Sequence, residues 1–193
     1  MSYSVVGEIL RLPSVQAAPK LLGSYLVRQT PAGRIKVRIV ETEAYHQEDP
    51  ASHSFRGRTP RTAPMFEAGG RLYVYFTYGM HYAVNVVVGQ KGIGEAVLVR
   101  AAEPVEGIEI MRQNRGITDM NSLTNGPGKL AQALGIRDTK LSGERLSKSS
   151  ISLQGGPPIS QNEIVSAPRI GIKQAVDLPW RFYIKGNSFV SKL

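Results

Sequence analysis

Cysteine is absent from the 193 residues. That excludes a disulfide framework, thiolate zinc or iron–sulfur sites and a cysteine nucleophile. No apolar run approaches the about 20 residues that span a bilayer. The opening Met1-Ser2-Tyr3-Ser4-Val5 carries neither a basic stretch nor a small-residue cleavage pattern, so a secreted reading finds no support. The spacings of a phosphate-cradling Walker loop, of a Gly-x-Gly-x-x-Gly dinucleotide fingerprint and of a Gly-x-Ser-x-Gly nucleophile elbow are missing too. The three histidines, His46, His53 and His81, have no compact metal-ligand spacing. Acidic residues are scarce: 15 Asp and Glu stand against 24 Lys and Arg, a net charge of +9. An excess of that sign favours a polyanionic partner, with nucleic acid first among them.

What is present has ordinary globular composition, 41% hydrophobic and 20% charged. The length predicts one domain over 1–193. Helical spacing of Leu21, Leu22, Tyr25 and Leu26 predicts a helix over Ala17–Leu26, with Pro31-Ala32-Gly33 as the turn beyond it. Ile35, Val37 and Ile39 alternate with Lys36 and Arg38 as a half-buried strand. Glu48–Gly70 reads as a long irregular loop, of the kind that is functional or disordered. Leu72–Thr77 and His81–Val88 form a hairpin around Tyr78-Gly79. A strand follows over Ala96–Ala101, then helices over Pro104–Asn114 and between Pro127 and Gly135. Lys140–Ser150 reads as a mobile loop, with further strands near Arg169–Ile172 and Arg181–Ile184. Strands and helices that mix without βα alternation predict an α+β domain: a mostly antiparallel curved sheet, flanking helices and a protruding hairpin.

Glu43 stands out chemically. A continuous pleat puts Glu41, Glu43 and Tyr45 on the inward side with Ile35, Val37 and Ile39. A carboxylate on an apolar face is costly unless paired, and burial raises its pKa, which is how a general acid or base is tuned. A strand-end Glu turned to solvent, or paired with Arg38, is the plainer alternative. In the hairpin, Tyr73, Tyr75 and Thr77 share one face, and Tyr78 at the tip has the form of a wedge for stacked bases. Folding of Tyr78 back onto its own strand remains open. Asn85 is a polar residue in a run of Val and Ala and needs partners. Arg56, Arg58 and Arg61 lie beside His53 and short hydroxyls, a mixture suited to phosphates as well as to a solvated loop. Asn125-Gly126-Pro127-Gly128-Lys129 places a lysine at a helix start, where backbone N–H groups favour anions.

Together these segments resemble the alkyladenine (3-methyladenine) DNA glycosylase family. The matching stretches are Val40-Glu41-Thr42-Glu43-Ala44-Tyr45, Ala51-Ser52-His53-Ser54, Arg58-Thr59-Pro60-Arg61, Met65-Phe66, Leu72-Tyr73-Val74-Tyr75 and Tyr78-Gly79-Met80. Asn85, Val97–Ala101, Glu103-Pro104, Gly126-Pro127 with Lys129-Leu130, and Arg181-Phe182-Tyr183 follow in order. The resemblance implies a monofunctional, cofactor-free chemistry: a damaged purine is flipped from double-stranded DNA and hydrolysed from its sugar. It implies that Glu43 is the general base, and that Arg100 and the Ile170 carbonyl help hold the attacking water. Tyr45 and His53 pack on one face of the flipped base and Tyr75 on the other. Tyr78 intercalates, with Met80 beside it, and Asn85 discourages guanine. On the reading of the residues themselves, Arg56, Arg58, Arg61 and Lys129 are the candidates for contacts to the DNA backbone. Val84 and Leu98 stand where apolar residues shape the pocket. The implied substrates are alkylated or deaminated purines such as 3-methyladenine, 7-methylguanine, hypoxanthine and ethenoadenine. No metal, organic cofactor, membrane or obligate protein partner is implied. Without a long basic N-terminal extension, the resemblance suits a bacterial, cytoplasmic monomer.

The residues leave three other readings open. One is a non-catalytic, damage-sensing DNA-binding module. Another is a glycosylase-lyase with Lys129 as its amine. The third is a hydrolase of free nucleosides or sugars using Glu41 and Glu43, which lie about 7 Å apart along a strand.

Overall fold

The computed structural model describes residues 3–77 and 79–191. Helices α1 (Tyr3–Ile9) and α2 (Ser14–Leu21) precede strands β1 (Tyr25–Thr30) and β2 (Gly33–His46). After a long loop come β3 (Arg71–Thr77), β4 (His81–Val87) and β5 (Glu95–Glu106). Helices α3 (Ile108–Arg115) and α4 (Pro127–Ala133) follow, then β6 (Ile151–Gln154), β7 (Ile164–Ala167) and β8 (Arg181–Ile184). Among the described residues the strands form one eight-stranded sheet in the order β3-β4-β5-β2-β1-β6, with β8 joining β2 and β7 joining β8. Every pairing is antiparallel. This is the α+β architecture with a curled antiparallel sheet and a β3–β4 hairpin.

The main core lies on one face of this sheet. In α2 the buried residues are Ser14, Ala17, Ala18 and Leu21. That spacing puts one stripe of the helix on the sheet. The helix stops earlier than its periodicity predicts. Gly23 sits at φ +81°, and a Cβ there would lie 2.8 Å from the Pro157 carbonyl oxygen, so the chain turns at a position only glycine fills. Tyr25 and Leu26 consequently belong to β1, which the helical pattern concealed. Likewise Pro104 lies in β5, whose end pairs with Lys36–Ile39 of β2, and the helix begins only at Ile108. Arg169–Ile172 is not a strand; β7 is Ile164–Ala167, and residues 168–180 form bends and turns.

The pleat of β2 does not run through unbroken. The β2–β5 register shifts between Ile39 and Glu41 and again between Glu41 and Thr42. Ile39 and Val40 are both core residues, as are Ala101 and Ala102 opposite. Beyond that point Val40 and Ala44 pack in the core, and the Thr42 hydroxyl donates to the Ala18 carbonyl of α2 at 3.0 Å. Glu41, Glu43 and Tyr45 therefore occupy the face opposite Ile35, Val37 and Ile39, not the same one. The irregularity converts a core-facing strand into one that presents carboxylates to the other side.

Candidate active site

On that other face one cross-strand row builds the floor of a cavity. Glu43 of β2 pairs with Leu98 of β5, Leu98 with Asn85 of β4, and Asn85 with Tyr73 of β3. All four line a cavity of about 410 Å³, with Tyr45, His53, Tyr75, Thr77, Arg100, Pro127 and the 170–174 segment as its walls. The volume lies within the about 300–1,000 Å³ usual for small-ligand sites. Apart from Ile170, the expected base-contacting residues come from consecutive turns of the sheet and its long loop, which is why residues far apart in sequence converge. Leu98 lines the cavity as expected. Val84 does not, because it pairs with Val74 on the core face; Ala83 stands in the wall instead.

Glu43 is fully buried. Its Oε1 accepts the Ile170 backbone N–H at 2.9 Å, and its Oε2 accepts the Tyr45 hydroxyl at 2.8 Å. The Arg100 guanidinium stands 3.4 Å from Oε1. Burial nevertheless holds the carboxyl above the usual carboxylate range, with Arg100, Ile170 and Tyr45 pulling the other way and Glu41 adding to the rise. Glu41 is the second fully buried carboxylate. It accepts from Arg181 at 2.8 Å and from the Ser191 N–H at 2.7 Å, and Arg100 Nε lies 3.4 Å away. Two carboxylates thus share two guanidiniums. Arg100 Nε also donates to the Ser191 hydroxyl at 3.0 Å.

The aromatic wall is built around His53. Its ring meets Tyr75 edge-on at 4.5 Å between centroids, and its Nδ1 lies 2.9 Å from the Tyr73 hydroxyl. His53 is partly exposed, yet desolvation against the wall pushes its pKa down to about 4, with the Arg61 charge assisting, so the imidazole is neutral at physiological pH. Burial and the Glu43 carboxylate push the Tyr45 phenol up, which keeps it a hydrogen-bond donor. Asn85 is buried and donates its amide to the Tyr73 carbonyl at 2.9 Å, which fixes its orientation. The loop bearing His53 is held by Gly94: its carbonyl accepts the Ser54 hydroxyl at 2.8 Å and its N–H donates to Gln47 at 2.9 Å. A Cβ at Gly94 would stand 2.6 Å from Ser54 Cβ and 2.7 Å from Phe66 Cζ. Gly94→Ala is expected to cost about 1–3 kcal/mol, read from denaturant melts.

Tyr78 lies outside the described residues. Its neighbour Thr77 lines the cavity, Gly79 has φ +68°, and Met80 is 70% exposed beyond it. Arg56, Arg58, Arg61 and Lys129 are all exposed. Arg58 pairs with Glu67 at 3.1 Å, Lys129 donates to Asn125 at 2.8 Å, and Arg61 lies over the Tyr75 ring at 5.7 Å. Among the described residues no group of three or more His, Asp or Glu is arranged to hold a metal, and no helix is long and apolar enough to cross a membrane.

Sequence reasoning misses Asp49, Arg169 and Ser191, and it places Arg181 in a matching stretch without giving it a role. Asp49 and Arg169 are 120 residues apart in the chain and meet as a buried ion pair. Only the burial of two opposite charges reveals them, and no local pattern carries that.

The family model for methylpurine-DNA glycosylase (MPG) matches residues 8–188. A relative from Carboxydothermus hydrogenoformans is 51% identical over 176 residues, 91% of this chain and 92% of its own. One from Francisella tularensis is 51% identical over 187 residues, 95% and 96% of the two chains. One from Chlorobaculum tepidum is 46% identical over 187 residues, 96% and 89%. All three carry the provisional name 3-methyladenine DNA glycosylase. Matches this extensive show that the chain belongs to the methylpurine-DNA glycosylase family and is, with it, a DNA glycosylase, a hydrolase of N-glycosyl bonds.

Proposed function

We propose that this DNA glycosylase acts on alkylated or deaminated purines flipped out of double-stranded DNA, with Glu43 as general base. The observation that carries the reading is a buried carboxylate on the floor of a cavity walled by Tyr45, His53 and Tyr75. An alkylated purine is electron-poor or cationic, so an aromatic slot attracts it by stacking and cation–π contact, about 2 kcal/mol once desolvated. Glu43 takes a proton from water, the water oxygen bonds to C1′, and the C1′–N9 bond breaks with its electron pair leaving on the base. The sugar passes through an oxocarbenium-like state, which the same carboxylate stabilises. Arg100 and the Ile170 carbonyl hold the water, and Asn85 discriminates against guanine. Tyr78, with Met80 beside it, fills the vacated space in the duplex. The basic surface that includes Arg56, Arg58, Arg61 and Lys129 supplies the phosphate contacts, consistent with the net charge of +9. A single domain over 1–193 acting as a monomer in a bacterial cytoplasm, at the nucleoid, completes the reading.

The test is a panel of single-lesion duplexes bearing 3-methyladenine, 7-methylguanine, hypoxanthine or ethenoadenine, scored for abasic sites after single-turnover incubation. Release of one or more of these bases from duplex, far faster than from the free nucleoside, is the expected result. Binding to all four without release of any would instead assign a damage sensor. Equal rates on duplex and free nucleoside would remove base flipping.

A further inference from the structure

We propose that Arg169, locked to Asp49, is a positioning residue that holds two uncharged hydrogen-bond donors, the Ile170 N–H and the Tyr45 hydroxyl, against Glu43. The inference rests on Glu43 being the base. Arg169 and Asp49 have no side-chain exposure, and the guanidinium meets the carboxylate with both terminal nitrogens, one of them at 3.0 Å. The same guanidinium donates to the Ala44 carbonyl at 3.0 Å. It also lies over two rings, 4.7 Å from the Tyr45 centroid and 5.3 Å from that of Trp180. A buried ion pair gives little net stability over well-packed apolar residues, so its presence calls for a geometric reason. That reason is local. Ile170 follows Arg169 directly, in a stretch with no helix or strand over residues 168–180 to fix its N–H. Tyr45 is the ring on which Arg169 stacks, and it stands next to Ala44 on β2. One side chain thereby ties the bend that carries one donor to the strand that carries the other.

The charged and titratable groups around Glu43 are Arg100 from β5, Glu41 and Tyr45 from β2 and Arg181, its cross-strand partner on β8. Tyr73 and Tyr75 from β3, His53 and Lys173 complete the cavity wall. Freeing Arg169 leaves all of these in place except the two donors. Donors to a carboxylate favour its ionised form, so their loss raises the pH at which the base becomes competent.

Asp49→Asn and Arg169→Lys in the full chain test this, by single-turnover base release across pH and by the amide resonance of Ile170. The acid limb is expected to move to higher pH by about half a unit or more in both variants. In the wild type the Ile170 amide shift is expected to titrate with Glu43 and its proton to exchange slowly; in the variants both signatures weaken. A folded variant with the wild-type limb and wild-type amide behaviour overturns the proposal. If neither variant folds, a rapidly exchanging, non-titrating Ile170 amide in the wild type overturns it alone. Glu43→Gln in the same assay separates the two readings: its retained activity removes the base, whereas unmoved limbs in the Asp49 and Arg169 variants beside an inactive Glu43→Gln remove only the positioning.

Discussion

Glu43→Gln is expected to slow base release by about 10²–10⁴-fold at neutral pH, the range general-base catalysis supplies, while duplex binding stays near that of the wild type. The glutamine keeps the shape, its one carbonyl oxygen can accept the Ile170 N–H, and its NH2 can donate to a Tyr45 hydroxyl turned to accept, but it cannot take a proton from water. The same change is expected to stabilise the fold. Burial holds the Glu43 carboxyl above its ordinary range, so the folded state binds that proton more tightly than the unfolded chain does. The sign follows from this. Above the folded pKa the ionised, buried carboxylate detracts fully from stability; the loss shrinks as pH falls through that pKa and is gone below the unfolded value. Thermal melts should therefore place Glu43→Gln above the wild type at pH 7–8, with the gap closing on acidification. Wild-type release rates in the variant would remove Glu43 from the chemistry. A melting gap that widens on acidification would mean that the carboxylate is favoured where it sits.

Much of this candidate site is legible in the sequence, for a reason visible in the chain. Tyr73, Tyr75 and Thr77 alternate on a hairpin, and period-2 alternation survives wherever a strand has one cavity-facing side; all three do line the cavity. Asn85 was conspicuous because amides are rare in apolar runs. The faces of β2 were harder. The alternation of Ile35, Val37 and Ile39 extrapolates correctly only as far as the register shift, and nothing in Val40-Glu41-Thr42 announces that shift. The sequence thus marks Glu43 for burial, which it has, but on the opposite side of the sheet from the one it occupies. The helix over Ala17–Leu26 overran because Leu22, Tyr25 and Leu26 continue a helical stripe that Gly23 interrupts. Strand β1 opens on Tyr25, Leu26 and Val27, three apolar residues without alternation, and pairs with both β2 and β6. The Asp49–Arg169 pair was invisible because charge pairing at long separation has no sequence period.

Arg100→Met is expected to be the most destabilising change in the site, because of how charge is balanced there. Glu41 and Glu43 are both fully buried, and Arg100 stands 3.4 Å from each. Arg181 serves Glu41 at 2.8 Å, so the cluster holds two negative and two positive charges. Removing Arg100 leaves one buried carboxylate without a counter-charge, and methionine fills the space but offers no donor to Glu43 or the Ser191 hydroxyl. Breaking a buried pair in this way costs about 3–5 kcal/mol, and the 11% exposure of the Arg100 side chain argues for the lower end. The loss is largest where Glu43 would be ionised. Arg100 pulls the Glu43 carboxyl down against burial, so without it the carboxyl rises further and stays protonated to higher pH. Denaturant melts should show the deficit at pH 8 and a smaller one at pH 5. Base release should fall at neutral pH and recover in part as pH rises, its acid limb displaced to higher pH. Arg100→Lys keeps the charge but loses the fork that reaches Glu41, Glu43 and Ser191 together, so its limb should fall between the two. A deficit independent of pH, with the limb unmoved in Arg100→Met, would mean that Arg100 packs beside the carboxylates without balancing them.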